Sequence, residues 1–415
     1  MPISDTHRRR TTCRICGGKG LKMFLSLGPS PLANGFLRAE DLNIDPVYPL
    51  DVYFCTACHL IQLLDVIEPE VLFRHYLYVT GTSDTIAAHN TEYAATVAAR
   101  LNLTPADLVV EVASNDGSLL ECFRRHGVRT LGVDPAANVA AIANARGIET
   151  INRFFSSGVA VEIRQQFGPA KTVIANNVLA HVDDPVDLLS GAACLLDGNG
   201  AVTFEVPYLV DLVDGLEYDT IYHEHLSYFS VTSIMQLCDR AGLSIDRVEH
   251  LPVHGGSLRV TAAQRRQGDV HCSDAQAMAA DEARRGMGTL EFYEAFADVV
   301  RSNRVANLGL LNGLMAAGAT VAGYGAPAKG NTFLNYCGMD CGMIPFTVDK
   351  NPLKVGLYTP GMHIPVLPVS TIEERRPDYL LILPWNFAEE IMRQQEPYRA
   401  AGGRFIIPVP EPRVV

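Results

Sequence analysis

The chain switches between apolar runs of strand length and apolar positions at helical spacing. From Asp84 to Leu101, the residues Ile86, Ala87, Tyr93, Ala94, Val97 and Leu101 recur at helical spacing. Asp107-Leu-Val-Val-Glu-Val-Ala113 is then an apolar run that fits a buried parallel strand. It ends in Ser114-Asn-Asp-Gly117, enters a predicted helix over 118–123, and is followed by a strand over 130–133 closed by Asp134. Further strands are predicted over 171–177, 200–206, 243–248 and 257–261, with helices over 186–196 and near 231–242. The last two strands meet at His254-Gly-Gly256, and such a terminal hairpin adds one antiparallel strand to an otherwise parallel sheet. A second series begins after a helical stretch, 273–318, broken near Gly286-Met-Gly288. Its strands fall over 320–325, 346–349, 379–383 and 405–407.

Length agrees with this division. A chain of 415 residues exceeds what one core supports, so two or three domains are expected, over 1–80, 81–270 and 271–415. The net charge of −12 argues against a general nucleic-acid binder, which needs Lys and Arg for phosphate contacts. Met1 to Thr12 is polar, with Arg8, Arg9 and Arg10, and does not read as a secretory signal. The uncharged stretch 305–328 is long enough to span a bilayer, but Asn312 and the turn-like G-Y-G-A-P make it a helix end plus a strand. A soluble, cytoplasmic chain with no membrane partner is expected. No coiled-coil seam appears, which favours a monomer.

Four of the ten cysteines are spaced as Cys13-x-x-Cys16 and Cys55-x-x-Cys58. Each pair can hold one tetrahedral ion with two thiolates, and together they close the shell, as a structural zinc site requires. Two unrelated thiol pairs or a redox C-x-x-C are the alternatives, and no thioredoxin-like context supports the latter. Cys122, Cys194, Cys238, Cys272, Cys337 and Cys341 lie in apolar segments and are expected in the core.

The order strand, turn, helix, strand, acid is that of a nucleoside-binding half-fold. Asp134 lies where its carboxylate can accept from both ribose hydroxyls. The turn itself, A-S-N-D-G, has Ala113 and Asn115 where a dinucleotide fingerprint places glycines, so phosphate cradling is poorly supported. Glu111 at the strand end also disfavours an anion. A cationic sulfonium with an amino-acid tail fits better, which favours S-adenosylmethionine over NAD. Glu111 as a carboxylate capping backbone donors of the turn is the bland alternative. The terminal hairpin fits a seven-stranded methyltransferase sheet, which a plain dinucleotide domain lacks. In the second series, G-Y-G-A-P-A-K-G-N does suit phosphate, through its glycines, a helix N-terminus and Lys329. A turn that only packs helix on sheet is the alternative.

Asp219-Thr-Ile-Tyr222-His-Glu-His225 follows the fifth strand. A metalloprotease helix is excluded, because His223 and His225 are two apart and diverge on a helix. Tyr222 and His225, three apart, would share a helical face. With Glu224 they offer a base, an acid and a carboxylate, histidine being the usual proton carrier near neutrality. A polar helix start with satisfied hydrogen bonds is the alternative. For Tyr76 and His181 taken alone, the bland reading is favoured.

Taken together, the four-cysteine module, E-V-A-S-N-D-G, I-Y-H-E-H-L-S-Y-F, H-G-G-S-L-R and G-Y-G-A-P-A-K-G-N resemble the nucleotide-sugar C-methyltransferases, and within them the C-3′ enzymes of tetronitrose formation. The resemblance covers nearly the whole chain. It implies an α/β chain with an N-terminal zinc-binding module, a central seven-stranded Rossmann-like methyltransferase domain and a second Rossmann-like domain at the C-terminus. It also implies a structural zinc on Cys13, Cys16, Cys55 and Cys58. S-adenosylmethionine would be held by Glu111, Ala113, Asn115, Gly117, Asp134 and Asn177. A TDP-linked 4-keto deoxysugar would meet His254, Arg259, Gly325, Lys329 and Asn331. The reacting centre would be lined by Tyr76, His181, Tyr222, Glu224 and His225, with His225 as base and Tyr222 or Glu224 assisting. An NAD-linked oxidoreductase and a non-catalytic nucleotide sensor remain the rivals.

Overall fold

Alternation with period two builds the N-terminal module. In the strand Val47–Cys55 (β3), Tyr48, Leu50, Val52 and Phe54 are buried, with more exposed residues between them. The computed structural model describes residues 6–73, 84–253 and 255–415. In the module, β1 (His7–Arg9) pairs antiparallel with β5 (Asp65–Ile67), and β2 (Leu21–Pro31), β3 and β4 (Ile61–Leu63) form an antiparallel meander. A fourth strand, Ser227–Tyr228, comes from the middle of the chain and pairs antiparallel with β4.

The middle sheet has seven strands. They are β6 (Leu108–Val112), β7 (Arg129–Val133), β8 (Thr150–Ile151), β9 (Ala170–Ile174), β10 (Leu196–Pro207), β12 (Leu243–Leu251) and β13 (Ser257–Gln264), the strand Ser227–Tyr228 being β11. Their order is β12-β13-β10-β9-β6-β7-β8, and β13 alone runs antiparallel to both neighbours. All five residues of β6 are buried, as its apolar run requires. The crossovers leave β6 in opposite directions toward β7 and β9, which opens a crevice at the strand ends. β9 ends at Ile174, three residues before the expected end, and Asn177 takes a left-handed φ of +52° as the chain leaves the sheet.

Helices Ser273–Arg284 and Leu290–Ala316 follow, separated at Gly286 with φ +86°. Glu282 on the first caps the helix Val231–Arg240, accepting from the Val231 and Thr232 amides at 2.6 and 2.9 Å. The uncharged stretch resolves into the end of the long helix and a strand. No helix among the described residues is long and apolar enough to cross a membrane.

The C-terminal sheet comprises β14 (Val321–Tyr324), β15 (Thr347–Asp349), β16 (Val366–Pro368), β17 (Tyr379–Ile382), β18 (Arg404–Ile407) and β19 (Arg413–Val414). Its order is β16-β15-β14-β17-β18-β19, parallel except for β19. β16 and β19, at the edges, are too short to carry a periodic signal. One expectation is corrected: Cys122, Cys238 and Cys337 are buried, but Cys194 and Cys341 are exposed.

Candidate active site

The four sulfurs of Cys13, Cys16, Cys55 and Cys58 lie within 4.8 Å of one another, and three of the residues are buried. An all-thiolate set of this size fits a closed tetrahedral zinc. The Gln62 amide nitrogen donates to Cys13 Sγ at 3.2 Å, and the Gly18 amide to Cys16 Sγ at 3.4 Å. Such donors stabilise thiolate charge.

At the crevice of the middle sheet, Ala113 and Asn115 both take left-handed φ, +57° and +51°, and Gly117 follows at +76°. The turn is held by Asp134, whose two oxygens accept from the Asn115 and Ala136 amides at 2.8 Å each. Burial holds the Asp134 carboxyl above its usual range despite those donors. Glu111 Oε2 is buried with no partner among the described residues, so this oxygen caps no donor of the turn there. Burial, and then Asp134 and Asp116, push its carboxyl well up. An orphaned carboxyl in a nucleoside crevice fits a cationic ligand and opposes an anionic one. Asn177 is exposed beyond β9.

The reactive segment is a turn and not a helix start, the alternative reading of these residues. A 3-10 turn, Tyr218–Thr220, precedes it, and the His225 amide bonds to Tyr222 O at 2.8 Å. This turn still brings residues three apart together. The rings of Tyr222 and His225 are 4.1 Å apart, and Tyr222 Oη lies 3.1 Å from His225 Nε2. His225 Nδ1 lies 2.8 Å from the Thr220 carbonyl, which can only accept. The proton is therefore on Nδ1, Nε2 carries the lone pair, and Tyr222 O–H donates to it. Burial pushes His225 down to about 4, so the ring is neutral near pH 7. His181 packs edge-on against it at 4.8 Å and is pushed down to about 3 by burial and by His225.

The other two polar residues of the segment face the zinc module. Glu224 Oε1 accepts from Asn34 Nδ2 at 2.7 Å, and burial raises its carboxyl to about 7. His223 Nε2 lies 3.2 Å from the Pro49 carbonyl. Asn34 was not singled out from sequence; a polar Asn inside Pro31-Leu-Ala-Asn-Gly-Phe36 was the only signal.

In the C-terminal lobe the glycines have a packing reason. A Cβ on Gly325 would lie 2.5 Å from Pro384 Cδ, and one on Gly330 would lie 2.8 Å from Leu383 Cβ. Lys329 Nζ sits 4.1 Å from the Trp385 ring centroid and donates to Asn386 Oδ1 at 3.2 Å. Trp385 in turn donates to Asp219 Oδ2 at 2.7 Å, bridging the two lobes next to the reactive turn. Asn331 is buried, and its Nδ2 donates to the Ala33 carbonyl at 2.7 Å, which holds the loop carrying Asn34. Arg259 is committed to Glu205, with Nε 2.7 Å from Oε1. Tyr76 and His254 lie outside the described residues.

The chain is 41% identical to the C-methyltransferase NovU of Streptomyces niveus over 414 residues, covering 100% of this chain and 99% of that protein. The chain belongs to the C-methyltransferase family. Family models agree along this C-methyltransferase: "Putative zinc binding domain" over 13–73, "Methyltransferase domain" over 86–248 and "C-methyltransferase C-terminal domain" over 252–410. Among solved structures it is similar to the magnesium protoporphyrin IX methyltransferase of Synechocystis PCC 6803 with bound SAM. That match has 17% identity and a TM-score of 0.33, covering 44% of this chain and 82% of that one. The CcbJ methyltransferase of Streptomyces caelestis is similar at 13% identity and a TM-score of 0.35, covering 43% of this chain and 90% of that one.

Proposed function

We propose that this C-methyltransferase uses S-adenosylmethionine to methylate C-3′ of a TDP-linked 4-keto deoxysugar. The zinc module would occupy 1–80, the S-adenosylmethionine domain 81–270, and the linker with the sugar-nucleotide lobe 271–415. The single observation carrying the reading is the Tyr222–His225–Thr220 arrangement, which presents a neutral imidazole with its lone pair on Nε2. S-adenosylmethionine supplies an electrophilic methyl on a sulfonium. Carbon becomes nucleophilic only beside a carbonyl, and a 4-keto group acidifies the C-3′ hydrogen. With Tyr222 O–H turned from Nε2 to the ketone oxygen, His225 Nε2 would take that proton, the C–H electrons would become the enolate, and its carbon would take the methyl as the S–CH3 bond breaks and S-adenosylhomocysteine leaves. Tyr222 is the assisting group, since its hydroxyl meets Nε2 whereas Glu224 accepts from Asn34. Turned from Nε2 to the enolate oxygen, Tyr222 O–H becomes an oxyanion donor, commonly worth about 2.7–4 kcal/mol of barrier. Glu111 and Asp134 would hold the cofactor, Glu111 by its cationic end and Asp134 by its ribose.

His225→Asn is expected to abolish methyl transfer while still binding S-adenosylhomocysteine and TDP, measured by turnover and by calorimetry. Turnover near the parent rate would dismiss the base. Equal turnover of a sugar lacking the keto group would dismiss the enolate.

A further inference from the structure

We propose that Arg14 is a positioning residue for methyl transfer, tying the metal-ligand knuckle to both loops that carry the active-site histidines. The inference rests on the reading of His225 just given. The Arg14 side chain is fully covered, at 0% exposure. Nη1 donates to the Leu63 carbonyl, to the Leu226 carbonyl at 3.2 Å and to Gln62 Oε1 at 3.3 Å. Nε lies 3.2 Å from Asp183 Oδ1. Leu226 directly follows His225, and Asp183 stands two residues after His181. The same two loops are joined by the Leu226 amide, which donates to Ala180 O at 2.7 Å. One guanidinium thus reaches the module's own strand β4 and both histidine loops.

The link back to the metal site is short. Arg14 follows the ligand Cys13, and Gln62 accepts from the Arg14 amide at 3.2 Å while donating to Cys13 Sγ at the same distance. Zinc in four thiolates would carry a net negative charge next to Arg14, and Arg8, Arg10 and Arg14 converge on the single carboxylate of Asp183. Burying a guanidinium is costly, and an apolar side chain of similar volume often serves stability as well. Both carbonyls meet the single nitrogen Nη1, while Nε is in ion-pair range of Asp183 and neither Nε nor Nη2 has a hydrogen-bond partner among the described residues; an apolar side chain offers these three segments neither donor nor charge.

The test compares Arg14→Met, Arg14→Lys and Arg8→Ala in the full chain. Zinc stoichiometry, S-adenosylhomocysteine affinity, kcat, KM and the imidazole 15N resonances of His181 and His225 would be measured. In Arg14→Met, zinc content, S-adenosylhomocysteine affinity and KM are expected to hold, while kcat falls by about 10- to 100-fold and both ring resonances move. Arg14→Lys restores part of kcat through Asp183. Arg8→Ala, an exposed partner of the same carboxylate, leaves kcat unchanged. Parent-like kcat in Arg14→Met overturns the proposal. So does a parallel loss of zinc, ligand affinity and kcat, which would mark a structural role alone. If Arg14→Met does not fold, unshifted ring resonances and parent-like kcat in Arg14→Lys and Asp183→Asn overturn it equally. Should His225→Asn keep its kcat while the ring resonances still move in Arg14→Met, the base assignment fails and the tie stands.

Discussion

Asp134, after β7, and Asp349, at the end of β15, occupy corresponding places in the two parallel sheets. Each accepts one amide from the turn after the preceding strand, Asn115 at 2.8 Å or Ala326 at 2.7 Å. Each also accepts the amide two residues on, Ala136 or Asn351, both at 2.8 Å. Around this shared bracing the turns differ in the opposite sense to their composition. The turn poor in glycine keeps a buried carboxyl oxygen, Glu111 Oε2, with no partner among the described residues at its strand end. The turn rich in glycine is packed by Leu383 and Pro384 against both Gly330 and Gly325. A glycine count alone does not tell a ligand crevice from a packed turn: a missing Cβ makes room for protein as readily as for phosphate.

The largest test of the contrast removes each carboxylate. Asp134→Ala and Asp349→Ala each strip the acceptor from two amides, at about 1–3 kcal/mol for each group left buried and unmet. Both should lower the melting temperature, but only Asp134→Ala should lose S-adenosylhomocysteine affinity by calorimetry. Equal losses of affinity would break the comparison. A smaller effect separates the glycines. Gly325→Ala combines φ +83° with a contact to Pro384 and should cost about 1–3 kcal/mol in chemical denaturation. Ala113→Gly relieves a left-handed alanine at φ +57° and should change stability by no more than about 1 kcal/mol. A severe loss from Ala113→Gly would mean that its methyl is needed for packing.

The smallest effect is a proton. Burial holds Glu111 above the usual carboxyl range, so it is protonated more readily in the free protein than an exposed glutamate. A cation beside it favours the ionised form and lowers that value. Binding then releases a proton, and affinity for S-adenosylmethionine rises with pH below the free-protein value. Calorimetry in buffers of different ionisation enthalpy reads this release directly, and Glu111→Gln should abolish it. Proton uptake would contradict the assignment.

What sequence could supply was mostly local. The strand–turn–helix–strand–acid series, the paired C-x-x-C spacing and the Tyr222/His225 offset each lie within a few tens of residues and carry a period or a fixed spacing. At Tyr222 the helix start offered as the alternative is replaced by a turn, which hydrogen bonds from His225 to Tyr222 and Thr220 close tightly. The hidden part was the cross-chain support. Asn34 meets Glu224 across 190 positions, and Arg14 meets Leu226 across 212. Asn34 lies in no periodic pattern and Arg14 is an unspecified position inside C-x-x-C, since what selects each is a partner in another segment. The basic run Arg8-Arg9-Arg10 was read only as polar, yet Arg8 and Arg10 reach Asp183, and Arg9 reaches Asp65.

The pairing of β4 with Ser227–Tyr228 has a bearing on recombination. A strand borrowed from the middle of the chain finishes the sheet of the leading module, directly after the proposed proton acceptor. That module is consequently not an interchangeable cartridge. A chimera that imports a foreign leading segment, without also importing the borrowed strand and the loop before it, would join two halves of an unfinished edge. Natural exchange between such proteins should cut on either side of both segments together.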